Sequence, residues 1–431
     1  MMLVNDRSLF KPWNGWLRIS SNLNFVFTFL IAVTLPIAVD TQFCSIATVL
    51  LFVNWLAGGR YLKKINQLSN SKTGILLLLF FLLHLVGLLY TSDMATGLFD
   101  IEKKLSLFVI PLVLFASPLT IPQRDFVLIS FVLFCVFLAF IGLTYGILHY
   151  EEVVKRGPEH LITHISGIHR VYFSVYLLFG YFTLLFFYKK YSLGKIPVLK
   201  LLTLVLAGFI AFFILIISSR AVMILLVITT ATVIFYFVVI KRKQYLKAGI
   251  LATIGVIILL FAYSQVGYFR KSINDMVQNL DKGKTHNAAT VTSVNLRIEK
   301  YKCAIQAIEE NWLFGVGTGD VQNTLNRFYR LNNFYEGYYY SFNAHNQYFE
   351  TWIGLGLPGL LLLLAILILS LLLSIKDLNY LMIYFIVLFS VCCLSESLLT
   401  TQKGVVFFAL FYPLLYSKRS SFSALYSPYS K

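Results

Sequence analysis

Long, uninterrupted apolar runs are the feature of this sequence that most limits what it can fold into. One run reads GILLLLFFLLHLVGLLY at residues 74–90, and another reads AVMILLVITTATVIFYFVVI at residues 221–240. Runs of roughly 17–25 apolar residues match the thickness of a bilayer when they form α-helices. They lack the short alternating segments of a membrane β-barrel, so the sequence predicts an all-α polytopic membrane protein.

The same pattern recurs along the whole chain of 431 residues. Hydrophobic residues make up 58% of the chain and charged residues 13%, with a mean hydropathy of +0.77, which excludes an ordinary soluble domain. Twelve transmembrane helices are predicted, at about 23–39, 42–58, 74–91, 105–117, 126–147, 171–188, 197–217, 221–240, 246–263, 350–374, 379–394 and 403–416.

Charge in the loops predicts the orientation, because Lys and Arg near span ends are retained in the cytoplasm. With the N-terminus inside, most basic residues of the short loops fall inside and nearly all acidic residues fall outside. The basic start leads into a full-length span without a small-residue cleavage site, so no signal peptide is expected. The net charge of +17 then reflects topology, and no nucleic-acid partner is predicted.

The spans divide the chain into four parts. Residues 1–263 are predicted to carry a cytoplasmic N-terminus and spans one to nine, and residues 264–349 a partly helical periplasmic domain. Spans ten to twelve follow at residues 350–416, and residues 417–431 form a cytoplasmic tail that is basic and Ser-rich.

The periplasmic domain contains one clear helical pattern followed by a glycine-rich turn. An apolar stripe with spacings of three and four predicts an amphipathic helix against the bundle or the membrane surface. The GVGTGD sequence at 315–320 follows this helix, so a turn is favoured over a nucleotide-binding loop. The stripe consists of Val294, Ile298, Tyr301, Ile305, Ile308 and Trp312.

Three motifs together resemble the O-antigen ligase and polymerase superfamily. The sequence HNQYFETWIGLGLPG has His345 and Asn346, then nine residues, then Gly356 and Gly359, like the His-Asn…Gly-x-x-Gly signature of that family. The sequence SSRAVMILL at 218–226 looks like its Ser-Arg motif, although Ile224 stands where the ligases often have Leu. NLRIEKYKCAIQAIEENWLFGVGTGD looks like its segment from an Arg to a Gly-rich turn.

This resemblance implies transfer of a glycan from an undecaprenyl diphosphate carrier to an acceptor hydroxyl, at the periplasmic face of the bacterial inner membrane. The acceptor is lipid A–core for a ligase and another carrier-linked glycan for a polymerase. The sequence leaves these two open, as well as a lipid-linked glycan flippase or a structural assembly subunit. A flippase would place ionisable residues near the bilayer midplane in related repeats, and neither is evident here.

The motif residues suit this chemistry. Imidazole titrates near neutrality, so His345 is the candidate catalytic base that activates the acceptor hydroxyl. Arg220 and Arg297 are candidate diphosphate ligands, because a guanidinium is always charged and bonds phosphate oxygens with a planar fork. Glu350, the one acid in the His345 motif, is expected to face the lipid headgroups, so a single inverting displacement is predicted.

Weaker candidates surround these three. Further substrate-binding residues are Lys103, Lys104, Arg170, Asn346 and Tyr338. The aromatic residues Phe334, Tyr335, Tyr338, Tyr339 and Tyr340 suit either stacking on sugar rings or an apolar loop core.

No metal and no cofactor are predicted. His160 and His164 are spaced i,i+4 with His169 nearby, but no Cys accompanies them and histidines are common in loops. His84 reads as an interhelical hydrogen-bond donor within span three. Cys303 is alone in the periplasmic domain, so no disulfide is expected there.

Overall fold

The structure is a computed structural model that describes residues 11–37, 42–217, 220–241, 243–246, 249–250, 253, 255, 274 and 293–416. The regular structure in these residues is entirely helical, which confirms the predicted all-α class. Most of predicted span nine, at 246–263, and the tail at 417–431 lie outside the described residues.

Helices α1 to α12 run from the N-terminal region to a short π-helix at Phe235–Ile240. They are α1 Lys11–Thr34, α2 Gln42–Ala57, α3 Tyr61–Ser69, α4 Lys72–Gly87, α5 Met94–Lys104, α6 Ser106–Ala116, α7 Ile121–Leu148, α8 Tyr150–Arg156, α9 His160–Ser166, α10 Arg170–Lys190, α11 Pro197–Ile217 and α12 Arg220–Ile234.

Six more helices follow in the C-terminal part that the structure describes. They are α13 Ser293–Glu310, α14 Val321–Leu331, α15 Tyr335–Tyr339, α16 Gln347–Lys376, α17 Tyr380–Cys393 and α18 Gln402–Tyr416. Single 3-10 turns at Leu88–Tyr90, Leu193–Lys195 and Leu398–Thr400 connect neighbouring elements.

Five of the predicted spans are helices long and apolar enough to cross a membrane. They occupy Lys72–Tyr90, Ile121–Leu148, Arg170–Lys190, Pro197–Ile217 and Gln347–Lys376. A sixth is possible by composition where α2 and α3 form a pair bent by 116°. The multi-pass membrane character is therefore confirmed, and the count of twelve spans stays a prediction.

Other predicted spans within the described residues form shorter helices. Apolar helices of 10–17 residues lie at Ile19–Thr34, Arg220–Ile234, Tyr380–Cys393 and Gln402–Tyr416. Helix α6, predicted as a span at 105–117, has only 11 residues, contains Pro111 and is buried on most of its surface. A helix of that length rises about 16 Å, which is shorter than the hydrocarbon core of a bilayer.

The ends of the bundle have different polar clusters. At one end, the Asp125 carboxylate at the start of α7 accepts from Arg124 at 2.8 Å and pairs with Lys190 at the end of α10. At the other end, Tyr176 near the start of α10 donates to the Lys403 carbonyl oxygen at 2.9 Å. We call this second end, where α10 begins and α17 ends, the site end.

The segment 293–346, which we call the outer segment, has a small core of its own that lies beside the first half of α16. Buried side chains from α13 and α14 meet Phe334, Ala344 and Ile353 there. The face of α13 that packs inward consists of Lys300, Cys303, Ala304, Ala307 and Ile308.

The amphipathic stripe predicted on α13 is therefore only partly correct, because Ile308 packs inward and other members of the stripe do not. The helix exists, but Ile298, Ile305 and Trp312 are 43%, 43% and 51% exposed. The physical reason is size: the small side chains of Cys303, Ala304 and Ala307 let α13 approach α14 closely, while Ile298 and Ile305 stay exposed.

The glycine-rich segment after α13 is a turn, as predicted. Gly315 and Gly317 have positive φ values of 72° and 97°, which favour glycine. The backbone N–H groups of Val316 and Gly317 donate to the carbonyl oxygens of Ile353 and Gly354 at 2.8 and 3.0 Å. The turn thereby fixes the outer segment to α16.

Candidate functional site

His345 lies in the loop that leads into α16, held in an uncommon backbone conformation. Its φ is 47°, in the left-handed region, and its N–H donates to the Asn343 side-chain oxygen at 3.0 Å. The next residue, Asn346, accepts from the N–H groups of Tyr348 and Phe349 at 2.9 and 3.2 Å. Asn346 is therefore the N-cap of α16, and its side-chain oxygen is used within the fold.

A glutamate that the sequence reasoning missed lies beside His345. Glu396 follows α17, and its Oε2 atom is 3.3 Å from Nδ1 of His345. Nδ1 is buried, and this ion-pair distance is not accompanied by a hydrogen bond of good geometry. A carboxylate at Nδ1 orients the ring and leaves Nε2 as the nitrogen available for proton transfer.

Arg297 reaches the same carboxylate from the outer segment. Its Nη2 atom is 3.4 Å from Oε1 of Glu396, so the two oxygens of Glu396 face different partners. One turn later on α13, the Tyr301 hydroxyl donates to the Leu394 carbonyl oxygen at 2.7 Å. The structure thus brings Arg297 and His345 together through Glu396, which lies outside the three sequence motifs.

The electrostatics of this group favour an ionised Glu396. Burial opposes ionisation of the carboxyl, but His345, Arg297 and His169 outweigh it and hold the pKa of Glu396 below its usual value. Glu396 therefore places a negative charge between His345 and Arg297.

Residues 159–170 border the same site. Burial lowers the pKa of His169, which also feels the charges of Glu396 and His345. Arg170, a predicted substrate ligand, begins α10 and lies 3.3 Å from Oε2 of Glu159. Both side chains of this pair are partly exposed, so solvent or ligand can reach Arg170.

Arg220 lies at the site end as well. The ring of Phe213, near the end of α11, is 6.2 Å from the ring of Phe173 in the first turns of α10. Arg220 begins α12 only three residues after the end of α11, which is a reach of about 10 Å at most. The side chain is half-buried there.

A family match covers these motif residues. Residues 202–364 match the family model described as O-antigen ligase. This segment resembles the O-antigen ligase and polymerase superfamily. No curated protein matches the chain.

The O-antigen ligase match contains Arg220, Arg297 and His345, and it leaves out several neighbours of the site. Glu396 and His169 lie outside residues 202–364, as do Lys103 and Lys104. The resemblance inferred from the motifs is confirmed by the match, whereas the roles of individual residues stay predictions.

Lys103 and Lys104 are already paired with an acid on their own helix. Asp100 of α5 contacts the ammonium group of Lys103, and its Oδ2 is 3.3 Å from Nζ of Lys104. Lys104 is buried and lines a small polar cavity with His84 and Glu350. These lysines belong to a second polar cluster rather than to the group around Glu396.

Glu350 was expected to face the lipid headgroups, but its side chain is hydrogen-bonded within the fold. Its Oε2 atom accepts from the backbone N–H of Ala344 at 3.0 Å and from the Ser397 hydroxyl at 3.3 Å. Ala344 directly precedes His345, and Ser397 directly follows Glu396. Glu350 therefore connects the two loops that carry His345 and Glu396.

The aromatic cluster divides into one core residue and several exposed ones. Phe334 is buried in the core of the outer segment, whereas Tyr335, Tyr339 and Tyr340 are 66%, 81% and 64% exposed. Tyr338, a predicted substrate residue, is 42% exposed, and the Arg330 guanidinium lies 5.0 Å from its ring. The exposed rings are open to a sugar or to lipid.

The histidines of the 148–170 loop form ring contacts around Tyr145. His149 and His164 stack on the two sides of that ring, with centroids 4.4 and 4.6 Å away. His160 lies 3.2 Å from Glu152. In the part of the chain that the structure describes, no group of three His, Cys, Asp or Glu side chains is placed to hold a metal.

Proposed function

We propose that this protein is a membrane glycosyltransferase that moves a glycan from an undecaprenyl diphosphate carrier to an acceptor hydroxyl. The observation that supports this most directly is the shared carboxylate of Glu396, which joins the candidate base His345 to the candidate diphosphate ligand Arg297. Within the superfamily we favour an O-antigen ligase acting on lipid A–core, with a polymerase as the alternative.

In the proposed reaction, Nε2 of His345 accepts the proton of the acceptor hydroxyl as its oxygen attacks the anomeric carbon. The bond from that carbon to the carrier diphosphate breaks, and its electron pair stays on the diphosphate oxygen. Arg297 and Arg220 stabilise the negative charge that develops there, as preorganised cations do in a site partly shielded from water. Glu396 orients His345 and stabilises the imidazolium that forms.

The surroundings of Glu396 support a single displacement with inversion. A retaining mechanism needs a carboxylate that is free to attack the anomeric carbon. Oε1 of Glu396 faces Arg297 and Oε2 faces His345, while Glu350 is bonded to Ala344 and Ser397. Neither carboxylate is therefore placed as a nucleophile.

The proposed enzyme needs neither a nucleotide nor a divalent metal, because the diphosphate linkage already stores the energy of transfer. We place it in the bacterial inner membrane with the site end facing the periplasm, where carrier lipid and lipid A–core meet in one leaflet. Its partners are then the carrier-linked glycan, the acceptor glycolipid and the surrounding membrane lipid.

The deciding experiment is transfer by the purified protein in detergent or lipid vesicles, with chelator present and no nucleotide. Product formation under those conditions supports the enzyme over a flippase or an assembly subunit. Loss of all activity in chelator, restored by magnesium or manganese, contradicts metal independence. In a deletion strain, accumulated long carrier-linked chains indicate a ligase, and single carrier-linked repeat units indicate a polymerase.

A further inference from the structure

Lys300 is a buried cation next to the site, and neither the motifs nor the mechanism above uses it. It is 5% exposed, although a lysine is almost never fully buried unless it is paired. Its Nζ atom lies over the ring of Phe342, 3.8 Å from the centroid. Among the described residues, no carboxylate lies within ion-pair distance of this ammonium group.

The geometry points Lys300 at the same region as Arg297 and His345. Lys300 follows Arg297 by three residues on α13, and side chains at that spacing are neighbours on one helix face. The Phe342 ring that carries its ammonium group also contacts the His345 ring, with centroids 6.4 Å apart.

The backbone of Phe342 is held on both sides by hydrogen bonds. The Phe342 carbonyl oxygen accepts from the side chains of Gln322 and Tyr329 at 3.1 and 3.0 Å. Its N–H donates to the Gly337 carbonyl oxygen at 3.0 Å. A cation held by an aromatic face remains poorly solvated and is available to an incoming anion.

We propose that Lys300 is a third cationic ligand of the carrier diphosphate, acting beside Arg297. The inference rests on the proposed function and names a further residue for the same donor. When the donor binds, the ammonium group leaves the Phe342 ring for a phosphate oxygen and exchanges a weak contact for a charged hydrogen bond.

The protonation state of Lys300 gives this role a measurable signature. Burial and the charge of Arg297 lower its pKa to about 8, while Glu396 acts in the opposite direction. Three other titratable side chains contact Phe342: the rings of His345 and Tyr340 lie against its ring, and the Tyr329 hydroxyl donates to its carbonyl oxygen. A bound anion favours the ammonium form, so donor binding near pH 8 takes up a proton at Lys300.

The test measures binding of undecaprenyl diphosphate without glycan to the full-length protein by calorimetry. Titrations at pH 8 in two buffers of different ionisation enthalpy give the number of protons taken up. We expect Lys300→Met to weaken binding about 10- to 100-fold and to reduce the proton uptake by about half a proton. Lys300→Arg keeps a permanent charge, so it retains much of the affinity and loses the same part of the uptake.

Two controls keep the outcome interpretable. Lys302→Met removes an exposed lysine of the same helix, which pairs with Glu299 at 2.7 Å, and leaves affinity and uptake unchanged. Arg297→Ala reports on the proposed function itself. The proposed function fails if the wild type does not bind the lipid, or if Arg297→Ala binds it with wild-type affinity. Only the inference about Lys300 fails if binding needs Arg297 but Lys300→Met has the affinity and proton uptake of the wild type.

If Lys300→Met does not fold, Lys300→Arg alone still tests whether Lys300 binds the diphosphate. An arginine variant with wild-type affinity and undiminished proton uptake overturns the proposal. Inorganic diphosphate serves as the second ligand: the same dependence on Lys300 with both ligands places the contact at the phosphate oxygens, and dependence with the lipid alone contradicts it.

Discussion

Nδ1 of His345 lies 3.3 Å from Oε2 of Glu396, although one residue precedes the 30-residue helix α16 and the other follows α17. The two helices form a hairpin that returns the chain to the site end, so both loops meet there. The geometry depends on the packing of this hairpin, and Glu350 ties the loops together from within.

Replacing His345 by Ala should lower turnover by about 10²- to 10⁴-fold, the usual contribution of a general base. Donor affinity should stay close to that of the wild type, because the diphosphate ligands remain. Turnover and donor binding are measured separately, with His149→Ala as a matched histidine outside the site. A His345→Ala protein that transfers glycan at the wild-type rate would show that the base is elsewhere.

Glu396→Gln should lower turnover by about 10- to 100-fold, since an amide keeps the size of the side chain and loses the charge that orients and stabilises the imidazolium. Glu396→Asp should recover part of the rate. Glu309→Gln, an exposed glutamate of α13, serves as the control and should have no effect. Equal rates for Glu396→Gln and Glu396→Asp would argue against a role for the carboxylate charge.

Arg297→Ala and Arg220→Ala should each weaken donor binding by about 10- to 100-fold, because a charged hydrogen bond is lost at the diphosphate. Lysine at either position should restore only part of the affinity, since it keeps the charge without the planar fork. Arg327→Ala is the matched control, because Arg327 is exposed and pairs with Glu310 on the outer surface. Full rescue by lysine would exclude bidentate binding.

The pKa of Lys300 predicts a pH-dependent change in stability. The folded chain binds this proton more weakly than the unfolded chain, whose lysine titrates near 10.4. The destabilisation is therefore full below about pH 8 and disappears as the pH rises toward the unfolded value. Lys300→Met should be more stable than the wild type at pH 7, and little of this gain should remain above pH 10.5.

Thermal unfolding in detergent at a series of pH values measures this difference between the two proteins. Because both carry the same other titratable groups, subtraction isolates Lys300. If the difference in unfolding temperature between Lys300→Met and the wild type is the same at pH 7 and pH 10, burial does not lower the pKa of Lys300.

The predicted orientation can be checked by cysteine labelling. The five native cysteines are free and buried, so an impermeant thiol reagent should give little background. Ser341→Cys introduces an exposed thiol in the outer segment, which should react in cells whose outer membrane alone is permeabilised. Ser420→Cys lies outside the described residues and should stay protected; the opposite pattern would reverse the topology.

The sequence predicted the elements of this fold whose signal is local. Continuous apolar runs identify α4, α7, α10, α11 and α16 because a membrane span must satisfy its backbone within one helix. Asn346, predicted as a substrate ligand, is instead the N-cap of α16, where an Asn commonly bonds the first N–H groups of a helix.

Glu396 and the inner face of α13 required tertiary information. Glu396 lies between two serines in a short link between apolar helices, and no periodic pattern distinguishes it. Its importance comes from partners distant in sequence, at Arg297 and His345. On α13, side-chain size decides which face packs against α14. The small Cys303 and Ala304 lie in that contact, whereas the larger Ile298 and Ile305 are exposed.

The contact between the glycine-rich turn and α16 limits how this region can change by mutation. A methyl group at Gly356, which interrupts α16 with a φ of 65°, would overlap the backbone carbonyl of Leu313. A methyl group at Gly315 would in turn meet the backbone of Gly354 and Gly356. Because the obstructing atoms are backbone, no exchange of a neighbouring side chain can relieve either substitution. Second-site suppressors of Gly356→Ala should therefore alter the length of the 311–318 turn. In functional chimaeras, this turn and the kinked part of α16 should come from the same parent protein.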